Sequence, residues 1–260
     1  MMSVLDSIIA GVLEDQSKRE LSTFALTEKM ALANKPLDAL AALSSDKFSV
    51  IAEVKRSSPS KGALAQIPAP EKLARQYQNG GAAVISVLTE QRRFGGSLQD
   101  FSSVRGEVSI PLLRKDFIVN EYLVKESRAY GADLVLLIVA ALSDEALGQL
   151  YDLVIALGMQ ALIEVHNQEE LERALAINPK IIGVNARNLK TLEIDNNNFS
   201  TLLPLIPPGI IRIAESGMLE PEDAQQAFLA GADAILVGEA LVKSDNPATR
   251  VREFLNVANS

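Results

Sequence analysis

Eight short apolar runs recur along the chain: Val50–Val54, Ala83–Leu88, Pro111–Lys115, Leu134–Val139, Gln160–Glu164, Ile181–Asn185, Ile210–Ala214 and Ala234–Val237. They start roughly 26 residues apart, and helical patterns lie between them, as alternating strand and helix units in a parallel sheet require. Eight such units suit a closed ring of strands better than an open doubly wound sheet. The expected fold is α/β, a (β/α)8 TIM barrel with an N-terminal helical extension. The length of 260 residues is close to the roughly 250 typical of one such barrel.

Three junctions repeat one pattern: Asn79-Gly80-Gly81-Ala82-Ala83-Val84, Tyr130-Gly131-Ala132-Asp133-Leu134-Val135 and Ala230-Gly231-Ala232-Asp233-Ala234-Ile235. Each sets a glycine just past a helix and an apolar run right after it. Glycine takes the left-handed conformation that ends a helix without a Cβ penalty. Ahead of the first run, Ile8, Ile9, Val12, Leu13 and Leu21 keep helical spacing, as do Leu37, Leu40, Ala41 and Leu43 after Pro36. That segment reads as helical and must pack on the barrel. No Ser/Gly-rich linker interrupts the chain. Residues 1–260 are expected to form a single domain, with 1–47 as the extension and 48–260 as the barrel. No fused partner enzyme is expected after the final helical pattern, Ala248–Val257.

Composition narrows the chemistry. Cysteine is absent, which excludes a disulfide framework, a thiolate metal site and a cysteine nucleophile. A single histidine, His166, argues against a His-rich zinc site, and no metal is expected. Net charge is −8, which argues against a nucleic-acid partner, so an anionic ligand must be met by a local cationic pocket. No stretch reaches the ~18 apolar residues of a membrane span. Asp6, Glu14 and Asp15 surround the first apolar run, which is not the pattern of a signal peptide, so the expected location is the cytoplasm.

In barrels of this kind the active site lies at the C-terminal ends of the strands. The first run ends in Glu53 and Lys55, two apart and therefore on one face, before Ser57-Ser58-Pro59-Ser60-Lys61-Gly62 turns into a loop. The third places Lys115 on the face of Leu113 and Phe117. The fifth ends in Glu164, and the sixth delivers Asn185 and Arg187 on one face. Glu215-Ser216-Gly217 and Gly238-Glu239 close the seventh and eighth. Taken singly, each is an ordinary solvated rim residue. Taken together, these strands finish in ionisable or amide groups, which a merely structural rim would not need. The last two loops fit a phosphate: Ser216 offers a hydroxyl, Gly217 and Gly238 let the backbone approach, and Glu239 is expected to turn its carboxylate outward.

Several of these segments carry a closer resemblance. Ile51–Gly62, Ser86-Val87-Leu88-Thr89-Glu90 with Phe94-Gly95-Gly96-Ser97, Arg114–Val119, Ala161–His166, Ile182–Leu189 and Ile213–Gly217 resemble the motifs of the indole-3-glycerol phosphate synthases, over nearly the whole chain. Ser57 and the Arg92-Arg93 pair depart from the usual pattern, away from the motif's catalytic positions.

The resemblance implies a lyase that closes the indole ring in tryptophan biosynthesis, with loss of carbon dioxide and water from a small phosphorylated substrate. It implies Lys115 as general acid, Glu164 as its carboxylate counterpart, Lys55 and Glu53 as a supporting pair, and Asn185 with Arg187 orienting hydroxyls. Ser58, Glu215 and Ser216 would bind polar groups, Ser216 near the phosphate, and Phe94 and Phe117 would wall the aromatic ring. No cofactor is implied. The extension and the Ser57–Gly62 loop would close over the substrate, unless the extension only covers apolar surface. His166 is expected to stay outside the chemistry. The net direction of the Lys115 acidity is open, because Lys55 and the carboxylates oppose one another. A monomer is the simplest expectation, with other enzymes of the pathway as the candidate partners.

Competing barrels fit less well. Phosphoribosylanthranilate isomerases use a cysteine base, which this chain lacks. Orotidine-type decarboxylases carry Asp-x-Lys-x-x-Asp, whereas Lys115-Asp116 continues into Phe117-Ile118. A catalytically dead binding barrel would have no reason to keep Glu53, Lys55, Lys115, Glu164 and Asn185 together.

Overall fold

The computed structural model describes residues 3–43, 47–188 and 191–259. Leu189, which closes the motif that begins at Ile182, lies outside them. Eight parallel strands form a closed ring: β1 (Ser49–Val54), β2 (Val84–Leu88), β3 (Leu112–Lys115), β4 (Leu134–Ile138), β5 (Gln160–Val165), β6 (Ile181–Asn185), β7 (Ile211–Glu215) and β8 (Ala234–Val237). β1 seals the ring, pairing with β2 (Glu53 opposite Ser86) and with β8 (Ala52 opposite Val237). Each run expected from sequence is a strand, displaced by at most one residue at either end.

Helices α1 (Val4–Arg19), α2 (Thr23–Leu32) and α3 (Ala39–Leu43) precede the ring. Around it lie α4 (Pro70–Gly80), α5 (Leu98–Glu107), α6 (Glu121–Ala129), α7 (Asp144–Ala156), α8 (Gln168–Ala176), α9 (Asn197–Leu202), α10 (Pro221–Leu229), α11 (Glu239–Val242) and α12 (Pro247–Leu255). One glycine of each repeated junction, Gly81, Gly131 and Gly231, has positive φ. The second half of the repeat has its own purpose. Asp133 accepts from the backbone N–H of Leu112, and Asp233 from that of Arg212, so each aspartate ties its own junction to the start of the preceding strand.

Parity sorts the strand side chains into two shells. Ile51, Leu113, Leu162 and Ile213 share a face with Glu53, Lys115, Glu164 and Glu215, and all four are fully buried beneath them. Val50, Ala52, Val135 and Leu137 take the opposite parity and are also fully buried, against the surrounding helices. Apolar filling below and charge above is the layering that puts polar chemistry at one end of such a ring.

One fully buried residue departs from this rule. Arg114 points outward from β3, opposite in parity to Lys115. Its guanidinium donates to Asp116, to Glu126 of α6, to Ser127 and to Thr89. Glu126 in turn takes both donors of Arg19, at the end of α1, at 2.9 and 3.0 Å. Two cations and two carboxylates therefore balance inside the wall. α1 is tied further to the loops beyond β2 and β3: Asp15 binds Arg92, Ser7 accepts from Arg93, and Gln16 accepts from Asn120. These loops leave the C-terminal ends of their strands, so α1 lies across that mouth.

Candidate active site

A deep cavity opens at this mouth. Every residue singled out from sequence lines it: Glu53, Lys55, Ser58, Phe94, Lys115, Phe117, Glu164, Asn185, Arg187, Glu215, Ser216, Gly217, Gly238 and Glu239. Leu88, Leu136, Ile138 and Leu236 complete its apolar floor and walls. Phe94 and Phe117 stand side by side, with ring centroids 6.1 Å apart. One side of the cavity can thus face an aromatic ring while the other is ionic.

Lys115 is the hub of the ionic side. Its Nζ lies 3.2 Å from Glu164 Oε2 and 3.1 Å from Glu215 Oε2. Burial works against the ammonium, but Glu215, Glu164 and Glu53 outweigh it and hold the group well above the ordinary lysine range. The direction left open by sequence is therefore upward. Burial also opposes charge on Glu164, yet Lys115 and His166 win and hold its carboxyl well below the usual range. Glu215 goes the other way. Burial, reinforced by Glu164 and Glu53, overcomes Lys115 and pushes it up to about 7. Neither Glu215 oxygen has an aligned hydrogen bond, so its contact with Lys115 is one of charge.

Glu53 and Lys55 form a second pair, 2.7 Å apart, with Ser86 reaching the other Glu53 oxygen at 3.5 Å. Gly238 stands against them: a Cβ there would come within 2.5 Å of Glu53 Oε1 and 3.0 Å of Lys55 Nζ. Next along the rim, Ser216 takes positive φ despite its side chain, and so does Gly217. Strained backbone of this sort clusters at ligand sites. The Glu239 carboxylate is taken up by Lys61 and Lys243 at 2.9 and 2.8 Å, which leaves it neutralised at the rim.

The loop after β1 reaches over the cavity. Its base is anchored by Arg56, which grips Asp100 and the carbonyls of Ile67 and Gly95. A two-residue hairpin pairs Ser57–Ser58 with Gly62–Ala63. At its tip, Ser60 accepts from Arg187 at 3.1 Å and Lys61 pairs with Glu239. Arg187 also donates to the Leu192 carbonyl, and its own N–H donates to Asn185 Oδ1.

Three features exceed or correct the sequence reading. Val4, Leu5 and Ile8 of α1 line the cavity, so the extension reaches the site itself. Its apolar spacing was legible, but its destination was not. His166, expected to stand apart from the chemistry, has Nε2 3.2 Å from Glu164 Oε1. It follows β5 by one residue, so parity with Glu164 was the available signal. Gly183 was missed altogether. A Cβ at this position of β6 would overlap Glu215 Oε1, so glycine is what gives that carboxylate its seat.

The chain is similar to known proteins over nearly its whole length. The family model described as indole-3-glycerol phosphate synthase matches residues 5–254. Proteins of that name from Rhodococcus jostii and Saccharopolyspora erythraea are 57% and 56% identical to the chain. They align with 98% and 99% of it, and with 96% and 97% of their own lengths. Among solved structures, a thiamine phosphate pyrophosphorylase from Pyrococcus furiosus matches with a TM-score of 0.60 at 15% identity, covering 82% of this chain and 95% of its own. That likeness concerns the fold. Among the described residues, no helix is long and apolar enough to cross a membrane.

Proposed function

The chain belongs to the indole-3-glycerol phosphate synthase family, decarboxylating lyases of tryptophan biosynthesis, and we propose that its barrel mouth closes the indole ring with Lys115 as acid and Glu164 as base. The substrate is 1-(2-carboxyphenylamino)-1-deoxyribulose 5-phosphate. The aromatic carbon bearing the carboxylate attacks the ribulose carbonyl, and the carbonyl oxygen takes a proton from Lys115. Carbon dioxide leaves and restores the aromatic ring. The new hydroxyl takes a second proton, from Lys55, and leaves as water while the adjacent ring carbon loses its proton to Glu164, which yields indole-3-glycerol phosphate. Glu164 then returns that proton to Lys115, and solvent recharges Lys55. The chemistry as written calls for no metal or organic cofactor.

One observation carries this reading. A single buried ammonium sits between Glu164 and Glu215 in a cavity that also holds the Phe94–Phe117 pair. Its carboxylate neighbours keep Lys115 fully protonated, so the acid is loaded before substrate arrives. A lysine held this way is reluctant to give up its proton. Negative charge growing on the carbonyl oxygen, inside a site closed to water, is what overcomes that reluctance. Once Lys115 has donated, Glu164 loses one of the two cations beside it and becomes the stronger base. Acid and base are coupled through one contact. A well-placed acid or base typically gives ~10²–10⁴-fold.

Binding follows from the remaining groups. Phe94 and Phe117 wall the aromatic ring. Lys55, supported by Glu53, meets the substrate carboxylate, while Asn185, Arg187 and Ser58 orient the hydroxyls. The phosphate lies against the backbone of Ser216, Gly217, Gly238 and Glu239, with the Ser216 hydroxyl as a further donor. α1 and the loop over the cavity fold the aryl amine onto the carbonyl. Orientation of this kind is worth roughly 7–11 kcal/mol in favourable cases. Residues 1–47 thus work with the barrel as one domain. The proposed setting is a monomer in the cytoplasm acting on a small phosphorylated substrate, without nucleic acid or membrane.

Mixing the protein with this substrate tests the reading. The expected result is release of carbon dioxide together with the ultraviolet absorbance and fluorescence of indole. An intact, folded protein that leaves the substrate unchanged would overturn it.

A further inference from the structure

The single histidine of the chain stands between two carboxylates. His166 Nε2 lies 3.2 Å from Glu164 Oε1, and Nδ1 lies 2.9 Å from Glu170 Oε2. A neutral imidazole has one N–H and one lone pair. In this setting it would aim the lone pair at an anion from one side or the other. Nδ1 makes the aligned hydrogen bond, whereas Nε2 meets Glu164 by charge alone, and only the doubly protonated ring faces both carboxylates without setting a lone pair against an anion. Burial alone would lower its affinity for the second proton, but Glu164 and Glu170 prevail and push its pKa up to about 10.

The ring is also held from several elements. Its backbone N–H donates to Glu170 of α8, and its carbonyl accepts from Asn198 of α9. Asn167 secures the other Glu170 oxygen at 2.8 Å. The charged groups that face the ring are Glu164 from β5 and Glu170 from α8, with Lys115 beyond Glu164 on its far oxygen.

Glu164 therefore has two cationic neighbours among the described residues, one on each oxygen. They differ in kind. Lys115 loses its charge whenever it serves as acid. His166 keeps its charge, because its two neighbours are carboxylates. A buried carboxylate stripped of its only cation is strongly destabilised. From this geometry we infer that His166 is a permanent imidazolium counter-ion for Glu164, a positioning residue that keeps Glu164 paired and aimed at the substrate while Lys115 gives up its proton. The inference rests on the roles proposed above for Lys115 and Glu164. It adds a residue that never touches the reacting atoms.

One histidine means one imidazole spectrum, so long-range ¹H–¹⁵N correlation of the unmodified protein reads the charge directly. At about pH 8, well above the ~6.5 of a free imidazole, both ring nitrogens should carry protons. A neutral ring at that pH would overturn the inference. His166→Gln should lower kcat roughly ten- to a hundredfold with little change in KM, as the loss of an aimed group does. It should also raise the acid limb of the kcat profile, and His166→Lys should restore part of the rate. Unchanged kcat and unchanged profile in folded His166→Gln would sink the catalytic half of the inference. If that variant does not fold, the spectrum of the unmodified protein still decides. Lys115→Ala tests the acid separately: normal turnover there would refute the role of Lys115 and leave the charge of His166 to the spectrum.

Discussion

Gly183 and Glu215 share one pocket of space: a methyl group on the glycine would overlap the carboxylate oxygen Oε1. Leu162 Cδ1, 3.0 Å from the same position, blocks the nearest alternative. Gly183→Ala should therefore displace Glu215 and disturb its contact with Lys115. We expect a loss of roughly 10²-fold in kcat, since misplacement by about 1 Å at a reacting centre costs that much, and a stability loss of ~1–3 kcal/mol from overpacking. Turnover and thermal melting check both. A variant of normal activity would mean that Glu215 has no part in placing the ammonium.

Lys115→Ala and Glu164→Gln should each reduce kcat by ~10²–10⁴-fold while KM changes little, because both groups act in the transition state more than in binding. Steady-state kinetics on the purified variants decides. Near-normal rates in both would refute the assigned roles.

Two groups give stability an opposite slope to the usual carboxylate. The Glu215 pKa rises from its ordinary 4.5 to about 7 in the folded chain. Its contribution is then fully present below about 4.5 and is lost as pH rises through about 7. His166 behaves likewise at higher pH: its contribution is complete below about 6.5 and is lost as pH rises through about 10. Urea denaturation across pH should show both declines. Glu215→Gln should remove the first and His166→Gln the second.

Arg114 holds Asp116 and Glu126 inside the wall of the ring. Arg114→Met should cost about 3–5 kcal/mol, because it leaves buried carboxylates without their central cation. Arg19 is about one-third exposed and holds only Glu126 of this pair, so Arg19→Ala should cost far less, ~1 kcal/mol. Denaturant midpoints of the two variants test the ranking. Equal losses would show that the charge balance is not centred on Arg114.

Removing residues 1–19 takes away Val4, Leu5 and Ile8 from the cavity wall. With the barrel still folded by circular dichroism, kcat/KM should fall more than roughly tenfold, since orientation and exclusion of water are both weakened. Unchanged turnover would reduce α1 to a cover for apolar surface.

Much of the fold was legible because each strand advertises itself. Continuous apolar runs such as Ile181–Val184 can be read without partners, and the glycine junctions mark where three of them begin. The mouth residues were legible for a related reason. Charge at the end of an apolar run, as in Glu53 and Lys55, needs an explanation wherever it occurs. What escaped the reading depends on pairs distant in sequence. Gly183 looks like any small residue in a strand until Glu215 arrives beside it from β7. Arg114 looks like a rim charge until Glu126 and Arg19 enclose it. His166 does lie between a strand and a helix start, as expected, but a lone histidine there gives no sign that carboxylates flank it on both sides.

The ring closes where β1 meets β8. During synthesis, the strand bearing Glu53 leaves the ribosome before the rest of the ring, and its second neighbour emerges only after β2 to β7. Until Val237 is free, Ala52 lacks its partner and β1 remains an open edge. An incomplete chain can assemble most of the wall, but it cannot bring the two halves of the mouth together. Catalytic competence should therefore appear abruptly, with the final strand.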